Sequence, residues 1–573
     1  MRQLIDCWAA ATMARLPITL LLVATALVAA VANAAAPEAA ADPAALVSRY
    51  ADNLAYASPY SNLPDLALAP SDAALDHALR KRDAGAVTFD HGIASGDTLA
   101  DAVILWTKVT SKDASVAVTY EVATTADFSA IIKSGAVLTS ADIDYTVKVD
   151  VTGLSPATRY YYRFSANGVT SPVGTTKTLP APGANLNSVK FAVVSCANMP
   201  HGLFHAYRNI AKRASEIDAV LMLGDAIYEY DLDGYQPVGG NMGPERDPIP
   251  AKVITTLADY RARHAQYKRD KDQQAMLALL PWLAIPDDHE FADNTWTNGS
   301  FKHSDAKDGP WAVRKLAAGR AYFEYMPIRP QAVGEMLKFW RKFQYGSFID
   351  LAMLDTRSER TAPGGNGWTG KERPLRKMMG DDQEKWLHGT ITNSTAHWVV
   401  LANQVIIAQM PEKIFEYEWS VTGDMWVGYP TTRDNLLRVL RDKKHPPILT
   451  LTGDFHSSIA LDVYLDSEYD KSSGKGSLMV EFAGPSVTSS TPAQDSGFLN
   501  KLGAPVVKLF KKGAKYVDLY RHGYMLTTFT KEKVRNEYWY VRSIKSRDGD
   551  AELLGAAFES AHGSNRITSS YIA

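Results

Sequence analysis

The sequence predicts a layered α/β domain placed behind a small β-sandwich. Three observations carry that reading. Residues 86–180 are a series of short β-branched and aromatic runs separated by Gly, Asp and Ser. From residue 187 onward, short apolar runs alternate with helical stretches. Four of those apolar runs end in polar clusters, and open α/β sheets collect their chemistry where strands end in loops.

The chain has 573 residues, enough for two to four domains at roughly 150 residues each. Near its start, Leu16 to Ala32 is an apolar run preceded by Arg15. Ala32-Asn33-Ala34 fits the small-x-small cleavage pattern, so residues 1–34 read as an export signal cut after Ala34. A retained anchor is the competing reading, at the lower limit of length for a span. Translation from Met13 would shorten the section ahead of the run. No twin arginine precedes the run, and no cysteine follows it to take a lipid. Residues 35–85 are rich in Ala, Asp and Leu and read as a leader with short helices.

In the sandwich, 86–180, the runs AVILWTKV, VAVTYEVA, YTVKVDVT and YYYRFSA have strand composition. Leu154 to Tyr162 resembles the corner before a late strand of a fibronectin type III sandwich. Leu179-Pro180-Ala181-Pro182-Gly183 reads as a linker. Residues 187–545 form the α/β domain, and 546–573 a C-terminal tail. Within the domain, strands are predicted over Val189–Ser195, Ala219–Leu223, Trp282–Ile285, Leu351–Leu354, Trp398–Leu401 and Ile448–Leu451. Helices are predicted over His205–Ala214 and, as one long stretch ending at Pro281, Leu257–Leu280. Gly364-Gly365-Asn366-Gly367 reads as a loop, because it lacks the framing of a phosphate loop.

The four polar clusters are Ser195-Cys196-Ala197-Asn198, Gly224-Asp225-Ala226-Ile227-Tyr228, Asp287-Asp288-His289-Glu290 and Gly453-Asp454-Phe455-His456. Any one of them alone is ordinary turn chemistry. Four at strand ends within one domain point to a site. Cleavage after Ala34 removes Cys7 and leaves Cys196 as the single cysteine, so no internal disulfide is available. A lone exported thiol is either a buried small hydrophobe or a residue with chemistry.

The chain resembles the alkaline phosphatase D (PhoD) family of metallophosphatases. Gly-Asp-x-x-Tyr resembles the second motif of the purple acid phosphatases. Asp-His-Glu and Gly-Asp-x-His resemble the Asn-His-Glu and Gly-His-x-His of metallophosphatases at large. A cysteine on the first strand is similar to the PhoD pattern, as are Phe89 to Asp97 with Ile104 to Thr107, Leu354 to Arg357, Ala402 to Val405 and Trp426 to Pro430. The similarity runs over residues 86–545. It implies a four-layer α/β/β/α metallophosphatase domain behind a fibronectin type III-like β-sandwich, with iron and calcium in the site.

The residue types agree with that implication. Thiolate and phenolate suit ferric iron, which assigns Cys196, Asp225, Tyr228 and His456 to Fe(3+). Asp288 stands where Asn is common and Asp454 where His is common. Carboxylate in place of imidazole makes the second site harder and favours Ca(2+), with Asp225 as the bridge between the metals. His289 is the candidate for protonating the leaving oxygen; orienting Asp288 is the alternative. Asn198 and Arg357 are candidates for phosphate binding, and for Arg357 a structural ion pair is equally open. Asn294 is either an oxygen ligand or a loop cap.

His201, His205 and His264 lack ligand spacing. Lys501, Lys508, Lys511, Lys512 and Lys515 read as a solvated helix face or as a lure for anions. The net charge of −2 argues against nucleic acid as a specific partner. The expectation is an exported, periplasmic or extracellular monomer without a membrane anchor, hydrolysing phosphomono- or diesters. The alternatives are a phospholipase-like diesterase of the same family, acting on lipid headgroups or teichoic acids, and a non-catalytic anion-binding surface protein.

Overall fold

The computed structural model describes residues 53–56, 85–236, 239–331, 337–363, 373–410, 413–414, 417–418, 423–465, 469–495 and 512–573. The export signal, most of the leader, the Gly364–Gly367 stretch and Lys501, Lys508 and Lys511 lie outside the described residues. Among the described residues no helix is long and apolar enough to cross a membrane.

Two large sheets carry the molecule. The first has ten strands in the order Ser569–Ile572, Glu552–Ala561, Lys533–Val541, Gly523–Thr530, Ser188–Val194, Ala219–Met222, Pro281–Ala284, Ile93–Gly96, Ala102–Lys108 and Thr146–Thr152. The second has seven, in the order Arg341–Tyr345, Ile349–Met353, Trp398–Asn403, Ile448–Thr452, Ser477–Ala483, Ser458–Tyr464 and Ala514–Asp518. Their central strands are parallel, which explains their continuous apolar runs: both faces of such strands are covered.

The faces can be assigned from contacts. Phe191 meets Tyr345 across the sheets, with ring centroids 5.2 Å apart. Its neighbour Ala192 points the other way and shares its row with Val220 and Trp282. Trp282 lies against Tyr207 of the helix His205–Lys212, centroids 6.1 Å apart. In the second sheet, Leu351, Met353, Val400 and Ala402 join the core between the sheets. Ala352, Leu354, Val399 and Leu401 pack with Leu387 and Leu436, on the helices Asp381–Thr392 and Pro430–Asp442. Helix, sheet, sheet and helix follow in layers.

The structure corrects four expectations. The long helix is two, Leu257–Lys268 and Lys271–Leu279. Asp270 breaks it, because its side chain caps the second helix by accepting the N–H groups of Asp272 and Gln273 at 3.0 Å each. The C-terminal tail is not a tail: Glu552–Ala561 pairs antiparallel with Lys533–Val541 inside the first sheet. Lys515 sits on the strand Ala514–Asp518 rather than on a helix face.

The fourth correction concerns the N-terminal unit. Its five-stranded sheet, which includes Ser115–Ala123 and Arg159–Ala166, does pack over a core of Val118, Val149 and Tyr162. The Tyr160 hydroxyl accepts the Ser155 N–H at 2.8 Å, at the predicted corner. The opposing layer, however, belongs to the ten-stranded sheet. Ser95 and Gly96 pair in parallel with Pro281 and Trp282, so the unit shares a sheet with the α/β domain. Arg341 locks the junction: its Nη2 reaches Asp97 Oδ1 and the Ala284 carbonyl, each at 2.7 Å.

Candidate metal centre

All four predicted clusters come together at the ends of the central strands. Cys196 leaves the strand Ser188–Val194, Asp225 follows Ala219–Met222, Asp288 follows Pro281–Ala284, and Asp454 and His456 follow Ile448–Thr452. The turns are tight. Cys196 N–H donates to Gly224 O at 3.1 Å and Ala197 N–H to Asp225 O at 2.9 Å. Gly224 has φ +106°, and a Cβ there would lie 2.2 Å from Asp287 Cβ, so no other residue fits.

Four candidate ligands adopt left-handed backbone, uncommon for residues with a Cβ: Cys196 (φ 61°), Asp225 (58°), Asp454 (59°) and His456 (54°). Such strain gathers at functional sites, where surrounding structure holds it in place. For Asp225 the holder is Glu290, a fully buried side chain predicted only as part of a motif. Its carboxylate accepts the N–H groups of Asp225 (3.0 Å), Ala226 (2.5 Å) and Asp287 (2.7 Å). Burial still pushes its pKa up to about 7.

Ligand atoms of Cys196, Asp225 and His456 lie within 4.8 Å of one another. The Tyr228 hydroxyl is 3.2 Å from both Asp225 Oδ2 and His456 Nε2. His456 Nδ1 stands 2.6 Å from the Ser490 carbonyl, which can only accept, so the proton is on Nδ1 and the Nε2 lone pair faces the cluster. Burial lowers the His456 pKa to about 4 and keeps the ring neutral. Burial, reinforced by Asp225, pushes the Cys196 thiol well above its usual range. A buried thiol beside carboxylates becomes a thiolate only with a cation next to it.

Asp225 belongs to a second group as well, with Asp288 and His289, and Asp288 to a third, with Asp287 and Asp454. Asp225 therefore stands between the thiol end and the all-carboxylate end. Asp288 Oδ1 and Asp287 Oδ2 are buried and accept no hydrogen bond. Burial opposes the Asp288 carboxylate, but Arg357, His289 and the Asn294 N–H outweigh it and hold its pKa below the ordinary range. Asp454 goes the other way, pushed up to about 7 by burial. One end offers sulfur, nitrogen and phenol oxygen; the other offers hard oxygen alone. The donor set fits a transition metal beside a hard divalent cation.

His289 Nδ1 donates to Glu229 Oε2 at 2.7 Å, which leaves its Nε2 free. Burial alone would lower this histidine, but the carboxylates of Asp288, Glu229 and Asp225 hold it well above the usual range. Asn198 lines a small hollow with Tyr228, Tyr230 and Tyr235. The Asn294 backbone N–H donates to Asp288 Oδ2 at 2.5 Å, while its side-chain amide donates to Asp293 at 3.1 Å. That is the bracing role of a loop cap.

Arg357 is corrected. Its side chain has no exposed surface, and its guanidinium meets Asp287, Asp424 (2.6 Å), Asp454 and Asp288 (3.4 Å). It holds the carboxylates of the cluster and does not face solvent, so the structural ion pair replaces phosphate contact. Sequence reasoning missed Glu229 and Asp424. Glu229 follows directly on the Gly-Asp-x-x-Tyr motif; Asp424 carries no local signal.

Comparison with known proteins agrees with this geometry. The family model described as PhoD-like phosphatase matches residues 191–538, and that of the PhoD-like phosphatase N-terminal domain matches residues 74–180. Alkaline phosphatase D of Bacillus subtilis (strain 168) is 36% identical over 420 residues, covering 70% of this chain and 69% of that protein. A solved structure of PhoD superposes with a TM-score of 0.74 at 31% identity, covering 85% of this chain and 92% of the other. A purple acid phosphatase from yellow lupin (Lupinus luteus) seeds shares the fold, with a TM-score of 0.50 at 14% identity over 83% of this chain and 74% of the other.

Proposed function

The chain belongs to the PhoD-like phosphatase family and is a phosphoric ester hydrolase, and on that premise we propose that it is an exported enzyme working with iron and calcium. Cys196, Asp225, Tyr228 and His456 would hold Fe(3+). Asp225, Asp288 and Asp454 would hold Ca(2+). The observation that carries this reading is the convergence of thiol, carboxylate and imidazole within 4.8 Å, with Asp225 shared by the neighbouring acidic group.

When bound, the metals supply Lewis acidity toward the phosphoryl group and lower the pKa of water. The chain supplies the rest. The Asn198 amide donates to a phosphoryl oxygen. His289 presents a proton at Nε2 to the leaving oxygen, and Glu229 fixes the ring so that this nitrogen faces out. Arg357 keeps Asp287, Asp288 and Asp454 together without meeting substrate. Tyr228 and Tyr230 pack on the His289 ring, with centroids 4.1 and 5.4 Å away, and limit its water contact.

Export rests on the Leu16–Ala32 run and the site after Ala34. N-terminal sequencing of the secreted protein is expected to begin at Ala35; a cell-bound protein retaining the run would overturn that part.

The test of the activity compares p-nitrophenyl phosphate with bis-p-nitrophenyl phosphate, with calcium and with a chelator, alongside elemental analysis. Iron in the protein and calcium-dependent turnover are expected, and the ratio of rates assigns monoester or diester preference. Full turnover in a preparation free of iron would sink the metal assignment.

A further inference from the structure

A cavity of about 590 Å³ opens at the end of the sheets opposite the metal cluster. Strand direction places it there. Trp398–Asn403 and Ile448–Thr452 run parallel, entered from His397 and Pro447 on the cavity side and left toward Gln404 and Gly453 on the cluster side. At about 3.3 Å per residue, these strands hold the two ends roughly 17–20 Å apart.

The cavity is lined by Lys444, His445, Lys531, His397 and His562, and no carboxylate lines it. This is not the by-product of a basic protein, since the whole chain carries −2. Both lysines are exposed. Neither has an ion-pair partner among the described residues. His445 Nδ1 lies 2.6 Å from the Pro446 carbonyl and Nε2 2.9 Å from the Leu440 carbonyl. Both ring nitrogens face backbone carbonyls, which fixes the ring in the cavity wall.

The wall is rigid. The His397 ring stacks on Phe348 at 5.6 Å and on His562 at 3.9 Å. His397 Nε2 donates to the Lys531 carbonyl at 2.7 Å, and His562 Nε2 to the His397 carbonyl at 3.1 Å. Phe348, Pro446 and Pro447 add apolar surface beside these charges. The volume falls in the range of small-molecule sites, roughly 300–1,000 Å³, and exceeds what a bare tetrahedral anion fills.

We infer that this cavity is a second oxyanion-binding site, separate from the hydrolytic centre, that takes phosphate or a small organic phosphate. The charge of the ligand meets Lys444 and Lys531; an attached organic group lies against Phe348 and the two prolines. The inference does not depend on which metals occupy the catalytic cluster.

The test is lysine acylation of the metal-loaded protein, read residue by residue by mass spectrometry. The probes are inorganic phosphate and a hydrolysis-resistant alkyl phosphonate, against potassium chloride at matched ionic strength. At saturation, modification of Lys444 and Lys531 is expected to slow by about threefold or more, while exposed Lys443 outside the cavity is unchanged. Protection at lower concentration by the phosphonate identifies an organic phosphate as the ligand; protection first by phosphate identifies the free anion. Lys531→Glu is expected to abolish protection at Lys444 with turnover unchanged. Slowing no greater than in chloride, or equal at Lys443, overturns the site. So does undiminished protection of Lys444 in Lys531→Glu.

Discussion

Glu229 and His289 form a buried pair in which the carboxylate has two duties. Its Oε2 accepts from His289 Nδ1 at 2.7 Å, and its Oε1 accepts the Asp293 N–H at 2.7 Å. The first bond sets which ring nitrogen carries a proton toward the cluster. The second ties the helix-free loop after Asp287-Asp288-His289 to the same side chain.

Glu229→Gln keeps the shape and loses the charge that supports a protonated ring. Outer partners of this kind typically contribute about 10- to 100-fold. The expected result is a fall in kcat of that size, with KM and metal content near wild type. Rates on activated aryl esters should fall less, because their leaving oxygen needs less proton donation. Equal losses on poor and good leaving groups would remove His289 from the leaving-group role.

Cys196→Ala removes the sulfur from a group otherwise made of oxygen and nitrogen. Iron content and turnover are expected to fall together, while calcium binding at the carboxylate end persists. Elemental analysis and p-nitrophenyl phosphate turnover check this. A variant with full iron and full rate would show that the thiol is only a small buried side chain.

Arg357→Ala leaves four carboxylates facing one another without their cation. Removing one partner from a buried ion network costs about 3–5 kcal/mol. The melting temperature of the metal-loaded protein should drop by several degrees. Arg357→Lys should recover only part of this, because a single ammonium cannot replace the fork that reaches Asp287, Asp424 and Asp454 at once. An unchanged melting temperature in Arg357→Ala would refute the structural role.

Alkaline pH should stabilise the fold through Lys268. Its ammonium position lies between the rings of Trp106 and Trp282, at 5.6 and 5.4 Å, and burial pushes its pKa down to about 7. An unfolded lysine titrates near 10.4. Between those values the unfolded chain holds a proton that the folded chain does not, so stability rises with pH, on the order of 2 kcal/mol from pH 7 to pH 9. Lys268→Met should lack this increment. Parallel denaturation curves for the two proteins across that range would contradict it.

The strands were legible because parallel strands buried on both faces leave uninterrupted apolar runs, and Ala219–Met222 or Ile448–Thr452 cannot be much else. The cluster was legible because each strand end carries its ligand within a few residues. What escaped was of two kinds. Glu552–Ala561 is rich in Ala, Glu and Gly, poor strand formers, and becomes a strand only because Lys533–Val541 offers it an edge. The break at Asp270 did have a signal, an acidic cap three residues before Gln273, which helical periodicity concealed. The partners of Arg357 are brought together by three different loops, and no local pattern encodes such a meeting. The pairing of Gly96 with Trp282 is hidden for the same reason.

That pairing bears on how the protein is made. The strand leading to Cys196 is flanked by Gly523–Thr530 on one side and Ala219–Met222 on the other, and the strand leading to Asp288 leans on Ile93–Gly96. Gly523–Thr530 leaves the ribosome long after Ser188–Val194, and Ile93–Gly96 leaves before it. The N-terminal strands must therefore wait, unpaired on one edge, until the catalytic strands arrive, and Cys196 waits for His456. Biosynthesis delivers the cage in pieces, and it closes only once His456 has joined Cys196 and Asp225. Vectorial emergence thus makes metal capture a late event in the life of each molecule.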